Sequence, residues 1–436
     1  MTVILQNDLS DLFASHERLQ RGESGGKRLD LSLQTGHELD FSHRDLTGAE
    51  FVGAFLNHSN FEHACLRQAN FFGATLSNSN FLEADLSKAD MRGAQMQGVN
   101  FTNAVMNDAN LADGSLLRQG LSGEINPVHN IDAKRRLYEA VFKNAQAQRA
   151  KFSSAITLST DLSLVNFKGA KLMGVNFTNS NLHGATFENA DLRGCNFTNA
   201  NMNAVILLHA NLDGATFEGA DLTASVVHFE EADKGAFSHA RMTKSVDSLA
   251  YSIKEIIANH RIWVNTMGAE GIRADLEGLD LSHVLLNGVQ FQAASLKRAL
   301  LVGSSFNNAV FTMADLSACN AREAQFLKAD CRGTNFSLSC LEQADFQYAD
   351  CSPMLITSHL SPKRWPTNFA GANLQRANFR GANLEEVHFD NASLAQADLR
   401  EANLRGASLL DANLTGADMR GANLEKADLR GAVGAK

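Results

Sequence analysis

A large apolar residue returns at every fifth position through most of this chain, and this spacing restricts the fold more than any other feature. The clearest run lies in residues 369–429, where all thirteen central positions are Leu, Phe or Met. Ala commonly stands two residues before the central residue, and Asn or Asp stands one before it. The repeated unit is therefore Ala, then Asn or Asp, then Leu or Phe, then two variable residues.

A period of five fits neither of the two common regular elements. An amphipathic helix needs apolar residues at a period near 3.6, and a half-buried strand needs them at every second position. A chain that turns a corner every five residues satisfies the pattern, because each central side chain then points inward while the polar residues face water. Repetition at a fixed period is typical of a stacked solenoid.

Phe and Leu alternate at the central positions of the first run, from Phe41 to Leu86. If four repeats form one coil, Phe side chains stack on two opposite sides and Leu side chains stack on the other two. The alternation therefore predicts a four-sided coil. The repeats amount to about 65 pentapeptides in about 16 coils, stacked at roughly 4.8 Å per coil.

These repeats resemble the pentapeptide-repeat family of proteins. The resemblance covers most of the chain and implies an all-β solenoid, a right-handed quadrilateral β-helix with a few short capping or inserted α-helices. It implies little about function, because one fold can carry many different functions.

The repeats fall into two arms, and each arm follows a leader segment. We predict an N-terminal leader over residues 1–30, a first arm over 31–244, a second leader helix over 245–273 and a second arm over 274–436. Both leaders contain apolar helical turns, a His, a Gly-rich bend and an Arg, which indicates an internal duplication. The first coil of a solenoid has an uncovered face and an unpaired backbone edge, and a helix can cover both.

The second leader is similar to one that precedes many bacterial pentapeptide-repeat arrays. It carries His260 and Trp263, whereas the first leader has Leu19 in place of the Trp. We expect Trp263 to anchor the second leader against the first coil of the second arm, near Leu276 and Leu281.

The first arm is interrupted after a run in frame to Leu121. Residues 123–150 lose the period and carry apolar residues at helical spacing, so we predict a helical insertion there. Its basic residues include Arg135 and Arg136, which are candidate partner-binding residues. The alternative is a lid packed on one side of the solenoid.

The second arm is interrupted by a loop at about residues 357–366, after a run in frame to Ile356. The loop contains Lys363, Arg364 and Trp365. Trp and Arg are common in binding hot spots, so these three are also candidate partner-binding residues. The alternative is that the Trp packs flat on the solenoid wall.

The C-terminal coil ends without a following cap, and an uncovered strand edge invites pairing. We predict a homodimer joined end to end through the last coils, as the family resemblance implies for some members. The alternative is a monomer whose tail or Arg430 side chain shields the edge. The central residues of this candidate dimer edge are Leu414, Met419, Leu424 and Leu429.

Composition and motifs argue against several functions. The net charge of −9 is spread along the chain, so direct binding to nucleic acid is not expected. No long apolar stretch predicts a membrane span, and the N-terminus does not resemble a signal peptide, so a cytoplasmic location is expected. No catalytic or cofactor-binding motif occurs, and the polar run His37–His43 lacks the spacing of a helical zinc site.

The six cysteines include no CxxC pair. Cys331 and Cys351 both hold the central position and are expected to stack in successive coils as small core residues, with a disulfide or metal role as the alternative. The sequence therefore predicts a protein that is not an enzyme and needs neither a cofactor nor a metal.

A long solenoid offers extended flat surfaces, so we predict a protein-binding or scaffold function with an unidentified partner. The family resemblance implies two alternatives. Some members mimic duplex DNA and bind DNA gyrase or another type II topoisomerase, and some are secreted bacterial effectors. Residues 1–121 contain 15 acidic and nine basic side chains, and this excess is the feature that supports DNA mimicry.

Overall fold

The structure is a computed structural model in which the chain divides into two compact units. The first comprises Met1–Asp221 and Val226–Arg241, and the second comprises Leu222–Ser225 and Met242–Lys436. The predicted arm boundary at residues 244 and 245 stays a prediction. The described residues are 3–114, 117–119, 125–127, 137, 140–152, 161–227, 237–246, 249, 251–356 and 363–434.

Helices and strands are few and short. The helices are a 3-10 turn, Gln6–Asp8, followed by α1, Leu9–Gln20, and later α2, Ile253–Asn265. The described strands are β1 (Asn110–Leu111), β2 (Leu117–Gln119), β3 (Ile125–Pro127), β4 (Lys151–Phe152), β5 (Asp221–Leu222), β6 (Arg241–Met242), β7 (Lys244–Ser245), β8 (Leu279–Asp280), β9 (Met354–Ile356) and β10 (Lys363–Trp365). Most of the remaining described chain forms single-residue parallel bridges.

Backbone bridges join residues twenty positions apart. Asp40 bridges Asn60, Asn60 bridges Asn80, and Asn80 bridges Asn100, all in parallel. Other series of bridges start at neighbouring repeats, five residues further along the chain. Each coil therefore has four sides of five residues, which confirms the four-sided coil expected from the sequence.

Each corner of the coil is a tight turn that follows the central residue. In the repeat that begins at Leu31, the Gln34 N–H donates to the Leu31 carbonyl at 3.1 Å, and Leu33 has a φ of 59°. A positive φ at the third residue is typical of a type II turn, which favours Gly. Gly occupies this position at Gly48, with a φ of 70°, but many repeats place larger residues there.

The Asn or Asp before each central residue fixes the turn and joins neighbouring coils. Asn80 Oδ1 accepts a hydrogen bond from the Leu82 N–H at 3.1 Å, and Asn80 Nδ2 donates to Asn60 Oδ1 at 3.2 Å. Asn100 Nδ2 in turn donates to Asn80 Oδ1 at 3.1 Å. Because a carboxylate has no donor, Asp40 ends this ladder by accepting from Asn60 Nδ2 at 3.4 Å.

The Phe side chains form stacked columns in the core. The ring centroids of Phe41 and Phe61 are 4.6 Å apart with the planes 5° from parallel, and Phe61 stacks on Phe81 at 4.5 Å. Phe41 also meets Phe51, from the opposite side of the coil, edge to face at 5.8 Å. All four side chains are fully buried. The alternation of Phe and Leu therefore places aromatic rings in mutual contact along and across the core.

The N-terminal leader bonds to the open backbone edge of the first coil. On one side, the Ile4 N–H donates to the Thr35 carbonyl at 2.8 Å. On the next side, the Gln6 side-chain amide replaces a strand, because its Oε1 accepts from the Asp40 N–H at 2.7 Å and its Nε2 donates to the Asp40 carbonyl at 3.2 Å.

Helix α1 bonds to the other two sides of the same coil. The Leu29 N–H donates to His16 Nδ1 at 3.0 Å, and Gln20 Nε2 donates to the Thr47 carbonyl at 2.8 Å. The apolar face of the helix covers the first core layer, where Phe13 meets a core Phe edge to face. Side chains of the leader thus replace the backbone of an absent coil.

Helix α2 begins the corresponding leader of the second unit. The Ala274 N–H donates to His260 Nδ1 at 3.0 Å. The Trp263 ring stacks on His260 with centroids 5.6 Å apart, and it lies beside Gly268, where a Cβ would come within 3.3 Å of Trp263 Nε1. His260 in turn lies 6.4 Å from the ring of Phe291 in the core. Trp263 therefore joins the helix, the Gly bend and His260, and its direct contact with the first coil stays a prediction.

The predicted helix over residues 123–150 is wrong for residues 140–150. Val141 bridges Asn100 in parallel, and the Phe142 ring stacks on Phe101 at 4.9 Å, so this segment forms sides of a coil. The physical reason is a hidden period of five, because Phe142 follows Leu137 by five residues and both are fully buried.

Two repeat runs end earlier than the sequence predicts. The first run leaves the coil after β1 rather than at Leu121, since β2 pairs with β3 in antiparallel orientation. The third run ends before β9 and not at Ile356, because β9 and β10 form an antiparallel hairpin. The predicted loop 357–366 is therefore wrong at residues 363–365, which form the strand β10. The coil then resumes at Asn368. The coils resume after each insertion, with the repeat frame shifted by one residue at Phe142 and by three residues at Phe369.

Phe187→Asp is expected to be strongly destabilising. Phe187 is fully buried, stacks on Phe167 at 5.3 Å and meets Phe177 and Phe197 edge to face at 6.1 Å. Removing a buried Phe side chain costs roughly 3–5 kcal/mol, and an unpaired buried carboxylate adds to that cost. Lys168→Gln is the control, because this exposed ion pair is worth at most about 1 kcal/mol. Equal melting temperatures for the two variants would show that the repeat frame is wrong.

Candidate partner-binding surfaces

Many charged side chains on the coil walls pair with one another. Arg400 Nε donates to Asp398 Oδ1 at 2.8 Å, and Arg400 Nη2 donates to the other carboxylate oxygen. The same two-residue spacing pairs Asp90 with Arg92, Asp191 with Arg193, Asp330 with Arg332, Asp418 with Arg420, and Asp428 with Arg430. Hydrogen bonds from Arg420 hold the pKa of Asp418 at about 2. These carboxylates are neutralised within the chain itself.

Other carboxylates serve the turns of the solenoid. Asp40 Oδ1 accepts a hydrogen bond from the Ser42 N–H at 2.9 Å. Hydrogen bonds from the side chain and the backbone of Ser42 lower the pKa of Asp40. Asp45 Oδ1 likewise accepts from the Thr47 N–H at 3.0 Å. Asp therefore recurs before the central residue because it caps a turn, and pairs of carboxylates on the walls need no catalytic explanation.

All six cysteines are free thiols, and five of them are buried. Cys331 lies against Cys351 in the core, and burial raises the pKa of the Cys331 thiol far above its usual range. Burial also raises the pKa of Cys195 to about 12. A thiol that stays protonated is a poor nucleophile and a poor metal ligand. Across the parts of the chain that the structure describes, no group of three or more His, Cys, Asp or Glu could hold a metal ion.

Helices of the described segments are all too short or too polar to cross a bilayer. The candidate residues Arg135 and Arg136 lie outside the described residues. The remaining sequence candidates lie on the hairpin β9–β10 and at the C-terminal edge of the second unit.

The hairpin β9–β10 leaves the solenoid at one corner of the second unit. Side chains alternate between the two faces of a strand, so Lys363 and Trp365 lie on one face and Arg364 lies on the other. The paired residues are Lys363 with Ile356, Arg364 with Leu355, and Trp365 with Met354.

One face of the hairpin contacts the preceding coil. A Cβ at Gly333, whose φ is 68°, would come within 2.9 Å of Met354 Cβ and 3.3 Å of Trp365 Cδ1. Trp365 therefore packs against the wall at this glycine. The side chain is nevertheless 43% exposed, and Lys363 Nζ lies 5.3 Å from the centroid of its ring. Wall packing and surface presentation, which the sequence offers as alternatives, occur together.

The other face of the hairpin is bonded to the following coil. Arg364 Nε donates to Glu386 Oε2 at 2.8 Å, and Arg364 Nη2 donates to Glu385 Oε1 at 3.2 Å. Glu385 also accepts a hydrogen bond from Arg405. Arg364 is thus engaged in holding the hairpin, whereas Lys363 and Trp365 remain at the surface.

Two further surface residues of the hairpin were not found by sequence reasoning. Leu355 is 56% exposed and Ile356 is 38% exposed. The repeat frame predicts a core position for Ile356 and makes no assignment for Leu355. The signal that could have found them is Pro353, since Pro supplies no N–H for a coil bond and commonly precedes a change of chain direction.

The last coil of the second unit contains backbone N–H groups that have no partner among the described residues. In the preceding coil, the N–H groups of the central residues donate to the last coil, for example from Leu399 to Asp418 at 2.8 Å. Leu414 is an exception among the edge candidates, because its N–H donates to the Val433 carbonyl and its side chain is fully buried. The partly exposed residues whose N–H groups have no partner among the described residues are Met419, Leu424 and Leu429.

A family comparison agrees with this geometry. Eight copies of the sequence profile described as pentapeptide repeats match the chain, and together they cover more than half of it. The chain therefore belongs to the pentapeptide-repeat family, and its fold is a right-handed quadrilateral β-helix, as predicted. The matched residues are 37–71, 69–108, 160–199, 193–226, 285–320, 367–406 and 397–433.

Several solved structures of pentapeptide-repeat proteins are similar to this chain. Full-length QnrB1, a plasmid-mediated fluoroquinolone resistance protein, is 22% identical over 53% of this chain and 92% of its own, with a TM-score of 0.23. HetL, involved in heterocyst differentiation regulation in the cyanobacterium Nostoc sp. strain PCC 7120, is 19% identical over 96% of this chain and 97% of its own, with a TM-score of 0.16. Rfr23 from the cyanobacterium Cyanothece 51142 is 21% identical over 41% of this chain and 98% of its own, with a TM-score of 0.13. No curated protein sequence matches the chain.

A bulky thiol reagent is expected to label one cysteine in the native protein and all six after denaturation. Cys65 is partly exposed, whereas the other five thiols are buried and three of them have a raised pKa. Cys65→Ser should abolish labelling of the native protein and leave five reactive thiols after denaturation. Rapid native labelling of Cys331 or Cys351, located by mass spectrometry, would contradict the closed core.

Proposed function

We propose that this protein is a non-enzymatic scaffold that binds a protein partner through the hairpin β9–β10. The observation that carries the proposal is an exposed apolar and cationic surface on a hairpin whose two faces contact successive coils. Because Gly333 on one side and Glu385 and Glu386 on the other hold the hairpin, little conformational entropy is lost when a partner binds.

The chemistry of this surface restricts the partner. Trp residues are frequent binding hot spots, and the Trp365 side chain is 43% exposed. Lys363 lies over the same ring and pairs with no carboxylate among the described residues. Ile356, which pairs with Lys363 and is 38% exposed, extends the apolar area on this face. A partner with an apolar groove bordered by a carboxylate fits this arrangement.

The alternative is DNA mimicry toward DNA gyrase or another type II topoisomerase. The excess of acidic residues in residues 1–121 favours it. Mimicry requires a stripe of free carboxylates, whereas several carboxylates in this segment bond to Arg. Glu50 pairs with Arg28 at 3.1 Å, and Asp85 pairs with Arg67 at 2.5 Å. The hairpin is therefore the better supported binding surface.

The hairpin proposal is tested by affinity capture with two matched double variants. Lys363→Glu with Trp365→Ala alters the hairpin surface and leaves Arg364 in place. Loss of a hot-spot Trp typically costs roughly 2 kcal/mol or more, so recovery of a specific partner should fall more than about tenfold.

The matched control is Lys328→Glu with Tyr348→Ala. Both residues are exposed at a different corner from the hairpin, in successive coils of the second unit, and the changes in charge and aromatic area are similar. A partner retained by the control and lost by the hairpin variant supports the proposal. A partner recovered equally with both variants rejects the hairpin site, and selective recovery of a type II topoisomerase with both variants favours DNA mimicry.

The open edge of the last coil supports an end-to-end homodimer. The N–H groups of Met419, Leu424 and Leu429 have no partner among the described residues, and their side chains are partly exposed. A two-fold related copy can satisfy the N–H groups and cover the side chains at once. Light scattering at micromolar concentration is expected to give twice the chain mass of 47.2 kDa. Leu424→Asp with Leu429→Asp should give the monomer, whereas Leu338→Asp, on an exposed wall position, should leave the dimer unchanged.

Two outcomes contradict the homodimer. A single species of 47.2 kDa for the unaltered protein removes the dimer. A dimer that survives both Asp substitutions in the last coil places the contact elsewhere.

A further inference from the structure

Two buried histidines join the leaders to the first coils through the same kind of bond. His16 Nδ1 accepts the Leu29 N–H at 3.0 Å, and His260 Nδ1 accepts the Ala274 N–H at 3.0 Å. The two side chains are 1% and 0% exposed. A protonated imidazole carries a hydrogen on both ring nitrogens and has no acceptor left. Each bond therefore exists only while its imidazole is neutral.

We propose that protonation of His16 and His260 releases the two leaders from their first coils, so that pH controls the capping of each unit. In acid, the ring loses its acceptor and a positive charge is left at a buried position. The backbone N–H that the ring had bonded loses its partner at the same time. Each of these changes favours the released leader over the docked one.

The groups around His16 oppose its protonation on balance. Burial lowers its pKa and outweighs the carboxylates of Asp45 and Glu17, which favour the charged form, while the Arg28 guanidinium disfavours it. Phe13, on the same helix, contributes only apolar surface and packs on the core.

The groups around His260 act in the same direction. Burial is the main cause that lowers its pKa, and the nearby Arg273 lowers it further, whereas the polar backbone of Gln292 opposes the shift. The neighbouring rings of Trp263 and Phe291 carry no charge. His260 thus has no carboxylate among the charged groups that influence it, and the second leader should be at least as sensitive to acid as the first.

The sign of the pH effect follows from these directions. A released leader exposes its His, whose pKa returns to about 6.5, and therefore binds more protons than the docked leader. Docking is insensitive to pH above about 6.5 and weakens by up to about tenfold for each pH unit below it, until the lowered pKa of the docked His is reached.

Release has a defined structural consequence, which the first unit illustrates. In the first unit, Leu29 loses the bond from α1, and Phe13 leaves the ring of Phe41 that it covers. The edge of the first coil is then open to an added strand. Acid thus converts a closed end of the solenoid into one that can accept another chain.

Amide hydrogen exchange on the full chain tests the proposal at pH 7.5 and pH 5.0, after correction for the intrinsic dependence of exchange on pH. Protection of the Leu29 and Ala274 N–H groups is expected to fall at least tenfold in acid, while the Phe71 N–H, inside the solenoid, stays protected. The double variant His16→Asn with His260→Asn keeps an acceptor near the position of Nδ1 but cannot be protonated. Its protection should not depend on pH, whereas the surface variant His58→Asn should behave like the unaltered chain.

Two results overturn the proposal. One is protection of Leu29 and Ala274 that stays constant to pH 5.0, and the other is an acid loss that persists in the double Asn variant. If the double variant does not dock at pH 7.5, fluorescence decides. Trp365→Phe leaves Trp263 as the only indole, beside His260, and protonated imidazole quenches indole more strongly than the neutral ring. Emission that does not change between pH 7.5 and pH 5.0 rejects the switch.

Discussion

The hydrogen bonds between successive coils are the interaction on which every other part of this structure depends. Each side of a coil donates to the next coil and accepts from the previous one, as Leu399 and Asn378 do in the second unit. The buried columns of Phe and Leu exist only because these bonds hold equivalent residues one above another. The side-chain ladders, such as that of Asn60, Asn80 and Asn100, add a second set of bonds in the same direction.

In a solenoid of this kind, backbone groups lack a neighbouring coil to bond to only at the ends and at the interruptions. At the N-terminus the missing coil is replaced by side chains, with the Gln6 amide serving as a peptide group and His16 as an acceptor. At the last coil, the N–H groups of Leu424 and Leu429 have no such substitute among the described residues. The candidate binding surfaces lie at an interruption and at the last coil, because the regular walls satisfy their own polar groups.

The regular part of the fold could be predicted from the sequence, because the period of five leaves a single consistent geometry. The interruptions could not, since their apolar spacing fits two structures. Phe142 suits either a helix with its neighbours or a core position five residues after Leu137, and only pairing with the previous coil decides between them. Sequence reasoning also identified Lys363 and Trp365 by residue type. It missed the anchoring role of Arg364, whose partner Glu385 becomes adjacent only through stacking of the coils.

The insertion of the hairpin has a consequence for how such proteins can be rebuilt. Asn335 bridges Asn368, which lies 33 positions further along the chain, whereas most bridged residues in this unit are twenty apart. The thirteen additional residues leave and return at one corner, and the coils on both sides keep the same alignment. The corner is thus a graft point, where a binding segment can be exchanged as a cassette while the scaffold that presents it stays the same.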